Sequence, residues 1–509
     1  MRRSVAAAVV ALSTALTVTS VASTDSAAAT GTTLTQQSAA RAEARSALRT
    51  AQHVLSTTST PRSTDPTMAL LHLRLTMDSL SGADRRQAAA ILARPTGHPD
   101  FFGQTYSVKA KKKCRGHICI HWVPTTADAP PNKHWVHKML KMMNHVWSYE
   151  VGRLGYHRPL SDGHRGGNAR FDVYLKELFH EGLYGLTTAE RPTSYNGNLY
   201  SGYLLLDNDF ARSQYGAKPI QVAKVTAAHE FFHAVQFGYD VHEDSWLMEA
   251  TSTWMEDQFD DRSNDNRQYL PYGQLADADQ PLDTYQVGGA AQYGNWAYFA
   301  HLSQRFGKGI VRSIWNSAGA FAGAGHQYSA HALRSVLGHH GGFDRDFVRY
   351  SAGNLTPGHA YAEGGHYPSP SLLAQWQPTQ AAPSVGPATF QVRHLASGSV
   401  KVLPGADLGQ RGWRLRLHVN GPKKRKDPVA YVVVHTKRHA WIRKSVHLNR
   451  RGDGHLSVPF SNRKVDFVTL TVANASTSFH HCGHGAFSCS GNPRVANPTF
   501  AVKVAAVRR

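Results

Sequence analysis

The segment VTAAHEFFHAVQF, Val225–Phe237, organises the reading of the whole chain. No Gly or Pro interrupts it, and its apolar residues fit a buried helix over Val222–Phe237. Phe231, Phe232, Val235 and Phe237 can anchor such a helix, while Ala227, Ala228 and Ala234 permit close packing. His229 and His233 are four residues apart, so a helix puts both imidazoles on one face, one turn apart. Both can then reach one ion, and two ring nitrogens suit Zn2+. Glu230, beside them, has the chemistry of a general base. It can take a proton from a metal-activated water and pass it to a leaving amine.

A catalytic zinc keeps three protein ligands and one open position. The motif WLMEA, Trp246–Ala250, opens a second helical pattern and offers Glu249, 16 positions after His233. Glu256 lies two turns further along nearly the same face. It is the alternative ligand, or else a carboxylate that orients a ligand histidine. His242 sits in a polar loop, His242–Ser245. The pattern H-x-x-G-x-x-H, which would supply a third histidine, is not met, because Gln236 and Tyr239 hold its Gly and His positions.

The two motifs together resemble those of the gluzincin metallopeptidases, which include the thermolysin-like enzymes and the peptidase-MA-like group. They are most similar to a group of secreted bacterial metalloproteases. Softer matches lie at Gly167–Leu175, Leu206–Phe210 and Tyr293–Trp296, and the resemblance covers residues 115–376. It implies an α+β fold with a zincin-like catalytic domain, a small sheet plus active-site helices. It also implies Zn2+ held by His229, His233 and Glu249, with Glu230 as base in peptide-bond hydrolysis. Gluzincins commonly stabilise the oxyanion with a Tyr or His on a later helix, and Tyr293 matches that position. Tyr298 and His301 belong to the same helical pattern. One departure stands out: Thr253 occupies the place of the acidic partner found in thermolysin.

The chain has 509 residues, 41% hydrophobic and 18% charged, which suits two or three globular domains. Lys and Arg number 56 against 35 Asp and Glu, a formal charge of +21. Only Lys109–Arg115 and Lys423–Lys426 are dense runs. Such a distribution favours a solvated basic surface, or an anionic surface or polymer as partner, over a dedicated nucleic-acid site. Arg2, Arg3, the apolar stretch Val5–Leu16 and Ala27–Ala29 read as a signal peptide over residues 1–29, hence secretion. No later apolar run is long enough for a transmembrane segment. In an exported protein, Cys114 with Cys119 and Cys482 with Cys489 read as two local disulfides.

Residues 30–113 read as a pro-region or a helical N-terminal segment, with Thr67 capping Met68–Leu80 and Lys109–Lys113 as a processing site. Residues 114–376 hold the metal motifs. Strands are expected there at Ile118–Val123, Phe171–Leu175 and Tyr203–Leu206, and an amphipathic helix at Lys133–Leu154. The Trp and Met stripe of that helix reads as core packing. Asp207-Asn208-Asp209 lacks the spaced ligands of a calcium loop and reads as a turn. Residues 377–387 are a Pro- and Ala-rich linker, and 388–509 show alternating segments expected of a β-sandwich accessory domain. No G-x-S-x-G elbow or P-loop is present, which sets aside serine hydrolases and P-loop NTPases. Two alternatives stand beside the peptidase: a non-enzymatic surface- or cell-wall-binding protein with a vestigial zinc site, and a zinc hydrolase acting on cell-wall material.

Overall fold

The computed structural model describes residues 25–56, 66–96, 105–192, 197–480 and 492–508. The fold is mixed α+β, with a strand-rich C-terminal region. The first half is built on a five-stranded sheet. Its strands are β1 (Lys111–Arg115), β2 (Ile118–Trp122), β3 (Phe171–Lys176), β4 (Gly185–Pro192) and β5 (Tyr200–Asp207), in the order β1-β2-β3-β5-β4. β2, β3 and β5 run parallel, and β1 and β4 close the two edges antiparallel. β3 and β5 are buried along their whole length, as expected of strands covered on both faces.

Alternation sends successive side chains of these strands into two different cores. Val173, Leu175, Leu204 and Leu206 pack beneath helices α4 (Lys133–Trp147) and α5 (Pro219–Phe237). Tyr174, Leu186, Tyr203 and Leu205 pack against the N-terminal helices α1 (Asp25–Ser56), α2 (Thr67–Thr76) and α3 (Gly82–Ile91). The N-terminal segment is thus a helical layer on the sheet. Thr67 does not cap α2: it is the first helical residue, after Pro66, and its hydroxyl reaches elsewhere. The α-helix from Lys133 ends at Trp147 and continues as a π-turn, Ser148–Arg153. Its Trp135, Met139, Met142, Met143 and Val146 are buried.

After α6 (Ser245–Phe259), the chain forms α7 (Trp296–Phe306), α8 (Gly309–Ala318), α9 (Ala330–Gly338) and α10 (Phe343–Gly353). The strands that follow are β6 (Ala374–Trp376), β7 (Ser384–Gln391), β8 (Ala396–Val402), β9 (Trp413–Asn420) and β10 (Pro428–Thr436). β11 (Trp441–Val446), β12 (Asp453–Pro459), β13 (Val465–Asn474) and β14 (Thr499–Arg508) complete the set. They form two sheets, β11-β10-β13-β8-β6 and β12-β9-β14-β7, antiparallel except for the β6–β8 pair. Val400, Val402 and Leu470 of one sheet meet Leu415, Leu417 and Val504 of the other in a common core. β6 precedes the Pro- and Ala-rich stretch, and β7 begins within it. β11, which the alternation did not single out, is exposed over residues 443–445.

Cys114 and Cys119 form a disulfide across the β1–β2 hairpin. Cys482, Cys489 and residues 1–24 lie outside the described residues, and Ala27–Ala29 fall within α1. Asp207 accepts the backbone N–H groups of Leu178, Asp209 and Phe210, the role of a turn residue. Among the described residues, no helix is long and apolar enough to cross a membrane.

Candidate metal centre

Helix α5 is buried nearly all round, which explains its continuous apolar sequence. Pro219 starts it, where a missing N–H costs nothing. It packs against α6, and this contact brings His229, His233 and Glu249 together. Nε2 of His229 lies 3.3 Å from Oε2 of Glu249, and Nε2 of His233 lies 3.5 Å from the same oxygen. Bonds of about 2.0–2.1 Å to a tetrahedral zinc imply ligand separations of about 3.4 Å. The observed spacing therefore fits one ion. Glu249 is 0% exposed, and neither of its carboxylate oxygens has a hydrogen-bond partner in the structure. A buried carboxylate of this kind calls for a cation.

The atoms behind the histidines fix which nitrogen faces the centre. Nδ1 of His229 is 2.7 Å from Oε1 of Glu256, and Nδ1 of His233 is 2.8 Å from Oε1 of Gln236. The Gln236 amide oxygen, and the Glu256 carboxylate when ionised, only accept, so each Nδ1 then carries the proton and each Nε2 keeps its lone pair for the metal. Glu256 therefore sits on the far side of His229, away from the shared ligand set. Burial pushes its carboxyl up to about 7, against the pull of His229. Gln236 is itself anchored, because its Nε2 donates to the Met248 carbonyl at 2.9 Å and to Thr251 Oγ1 at 3.1 Å. Thr253, in place of an acidic partner, bonds back to the Glu249 carbonyl at 3.0 Å.

Glu230 points toward the outer strand of the sheet. Its Oε2 accepts from Thr187 Oγ1 at 2.8 Å and from Thr67 Oγ1 at 3.2 Å. The strand approaches closely because residue 185 is glycine. A Cβ there would stand 2.9 Å from Thr226 Cγ2 and 3.1 Å from Glu230 Cγ. Beyond Gly185 a cleft opens beside His229, walled by Tyr184, Tyr269 and Tyr293. The ring of Tyr293 is 6.2 Å from that of His229 and 5.1 Å from that of Tyr269. Burial raises the Tyr269 phenol well above its ordinary value, so it remains an O–H donor. Tyr298 and His301 lie elsewhere: Tyr298 packs on Phe343, Phe347 and Tyr350, and His301 faces Asp346. His242 is not among the residues gathered at the centre.

Gln236, Thr67, Thr187, Tyr184 and Tyr269 were not read as site residues from the sequence. Gln236 carried a usable signal, since it lies three residues after His233 and so one turn away. Thr187, Tyr184 and Tyr269 come from segments joined to the helix only by folding. A comparison with protein-family models and one with curated proteins each find no match to the chain.

Proposed function

We propose that this chain is a secreted zinc-dependent peptidase of the gluzincin type, with a zincin-like catalytic domain. The observation that carries the reading is the deeply buried His229–His233–Glu249 set at tetrahedral-edge spacing, with Glu230 and His229 lining the same cleft. A bound Zn2+ would polarise the scissile carbonyl and lower the pKa of water. Glu230 would take the proton of the attacking water and return it to the leaving amine. Its two threonine partners, Thr67 and Thr187, hold Oε2 and so orient the carboxylate for that exchange. Glu256 and Gln236 keep the histidines in the ligating tautomer. The phenol O–H of Tyr293 or Tyr269 would donate a hydrogen bond to the developing oxyanion.

Export is supported by the N-terminal sequence together with the short-range Cys114–Cys119 disulfide. An anionic surface or polymer as partner is supported by the outer face of the β9 sheet. There His455, His418 and Lys503 stand in adjacent register, with Arg416 and Arg414 along β9. The deciding experiment measures zinc content and peptide hydrolysis of the mature protein, Glu230→Gln and His229→Ala. Wild type should hold one zinc per chain. Glu230→Gln should keep the metal and lose activity by about 10²-fold or more, the usual share of a general base. His229→Ala should lose the metal. Zinc-free wild type sinks the proposal. Zinc with an unaffected Glu230→Gln turns it toward the surface-binding alternative, and activity confined to cell-wall material toward the other hydrolase.

A further inference from the structure

Thr67 reaches the metal centre from 163 residues away in sequence. It is 0% exposed and sits at the start of α2, against the outer strand β4. Its hydroxyl accepts the Thr187 backbone N–H at 2.9 Å and donates to Glu230 Oε2 at 3.2 Å. Together with Thr187 Oγ1, it restrains the same carboxylate oxygen. One hydroxyl thus ties the N-terminal layer, the edge of the sheet and the candidate base into one unit.

A second observation bears on whether that layer is ever shed. Arg94, just after α3, is buried among three carboxylates of the sheet and its flanking loop. It bonds Glu190 through Nε at 2.8 Å and Nη2 at 2.7 Å, and it also bonds Asp162 and Asp172. Side-chain exposure is 8% for Arg94 and 6%, 0% and 7% for Asp162, Asp172 and Glu190. Loss of the segment would leave three carboxylates without their main cation, and would bare Tyr174, Leu186, Tyr203 and Leu205. A surface so apolar and so acidic beneath is not one a protein keeps in water.

We propose that the N-terminal helices remain on the mature protein as a permanent wall of the metal centre, and that Thr67 is a positioning residue for Glu230. The part concerning Glu230 rests on the peptidase reading, whereas the permanence of the wall does not. A base works only within hydrogen-bond reach of the proton it takes, so freedom at its carboxylate lowers turnover more than substrate binding. Valine at 67 keeps the shape but removes both hydrogen bonds, and serine keeps both.

The test has two arms. In the first, zinc content, kcat and KM on a chromogenic peptide are measured for the full chain, Thr67→Val and Thr67→Ser. Thr67→Val should retain zinc and lose about tenfold or more in kcat with KM within about twofold, a loss of transition-state positioning. Thr67→Ser should stay within about threefold of wild type in kcat, since it restores both bonds. An unchanged kcat in Thr67→Val overturns the role. So does a raised kcat, which would mean that the hydroxyl obstructs the edge strand. Loss of zinc, or an equal loss in Thr67→Ser, overturns it too.

In the second arm, a site-specific protease sequence is inserted within residues 97–104, and the folded full chain is cleaved there. Native size-exclusion chromatography with mass spectrometry should find the N-terminal piece still bound and the zinc content unchanged. Release of the piece from a protein that keeps its zinc overturns the permanent wall. If wild type cleaves no peptide at all, the peptidase reading fails, and this second arm still decides the wall.

Discussion

His233 shows how a single ligand is governed by the atom behind it. Gln236 Oε1 takes the Nδ1 proton, and the Gln236 amide is pinned in turn by α6. Gln236→Leu keeps the volume and removes the acceptor. Zinc affinity should fall by about 10–100-fold, the usual effect of losing such a support, as read by chelator competition. Unchanged affinity would show that packing alone orients the ring. Glu150 poses the opposite problem. It lies in the π-turn after α4, fully buried, and its oxygens find no hydrogen-bond partner in the structure. Burial holds its pKa well above the ordinary value, although His229 pulls the other way. Above the ordinary value the unfolded chain has lost a proton that the native state still binds, so Glu150 costs more stability as pH rises. Glu150→Gln should therefore raise Tm at pH 8 and give no gain below about pH 4, under the ordinary Glu pKa. An equal gain at both pH values contradicts this account. At this scale, the histidine pair and Glu230 were legible because helical spacing is a local property. Thr67, Thr187 and Tyr269 were not, because only tertiary contact makes them neighbours of the site.

Elements read well where burial imposes a period. β3, β5 and most of the C-terminal strands announced themselves by apolar runs or alternation, and α5 and α6 by helical windows that no Gly or Pro interrupts. The N-terminal layer read as helix but concealed its docking. Its buried face mixes large side chains such as Leu48, Leu55, Leu70, Leu73 and Leu80 with Ala44, Ala51, Ala69 and Ala88. Small residues let helices approach closely without leaving a strong apolar stripe. Its charged anchor, Arg94, had no local signature at all. Arg94→Met should cost about 3–5 kcal/mol, since removing one partner of a buried ionic group strands the others. Arg94→Lys should recover only part of that, because an ammonium cannot reproduce the two parallel bonds to Glu190. Denaturant melts of the three proteins measure both effects. Equal stability of all three would mean that the carboxylates are satisfied without the guanidinium.

The whole molecule is less divisible than its sequence texture implies. Change of composition near residue 380 suggests a detachable β domain, yet the β10–β13 sheet turns its outer face toward α10. Tyr431, Val433 and Ala473 of that sheet belong to the same buried core as Phe343 and Phe347. Arg334 on α9 reinforces the contact, bonding Asp427 and the Ala475 carbonyl across it. β6 lies before the boundary and pairs with β8 beyond it. A chain ending at Trp376 would therefore carry an unpaired strand and an uncovered apolar helix face, features that promote aggregation. The expected outcome is that this truncated chain fails to give a soluble monomer, while the full chain unfolds in one cooperative calorimetric transition. Since zinc would bind only the native state, that transition should rise as a whole with added metal and fall as a whole with chelator. Two separate transitions, of which only one responds to metal, would instead mean that the two halves fold independently and that the shared core adds little to either.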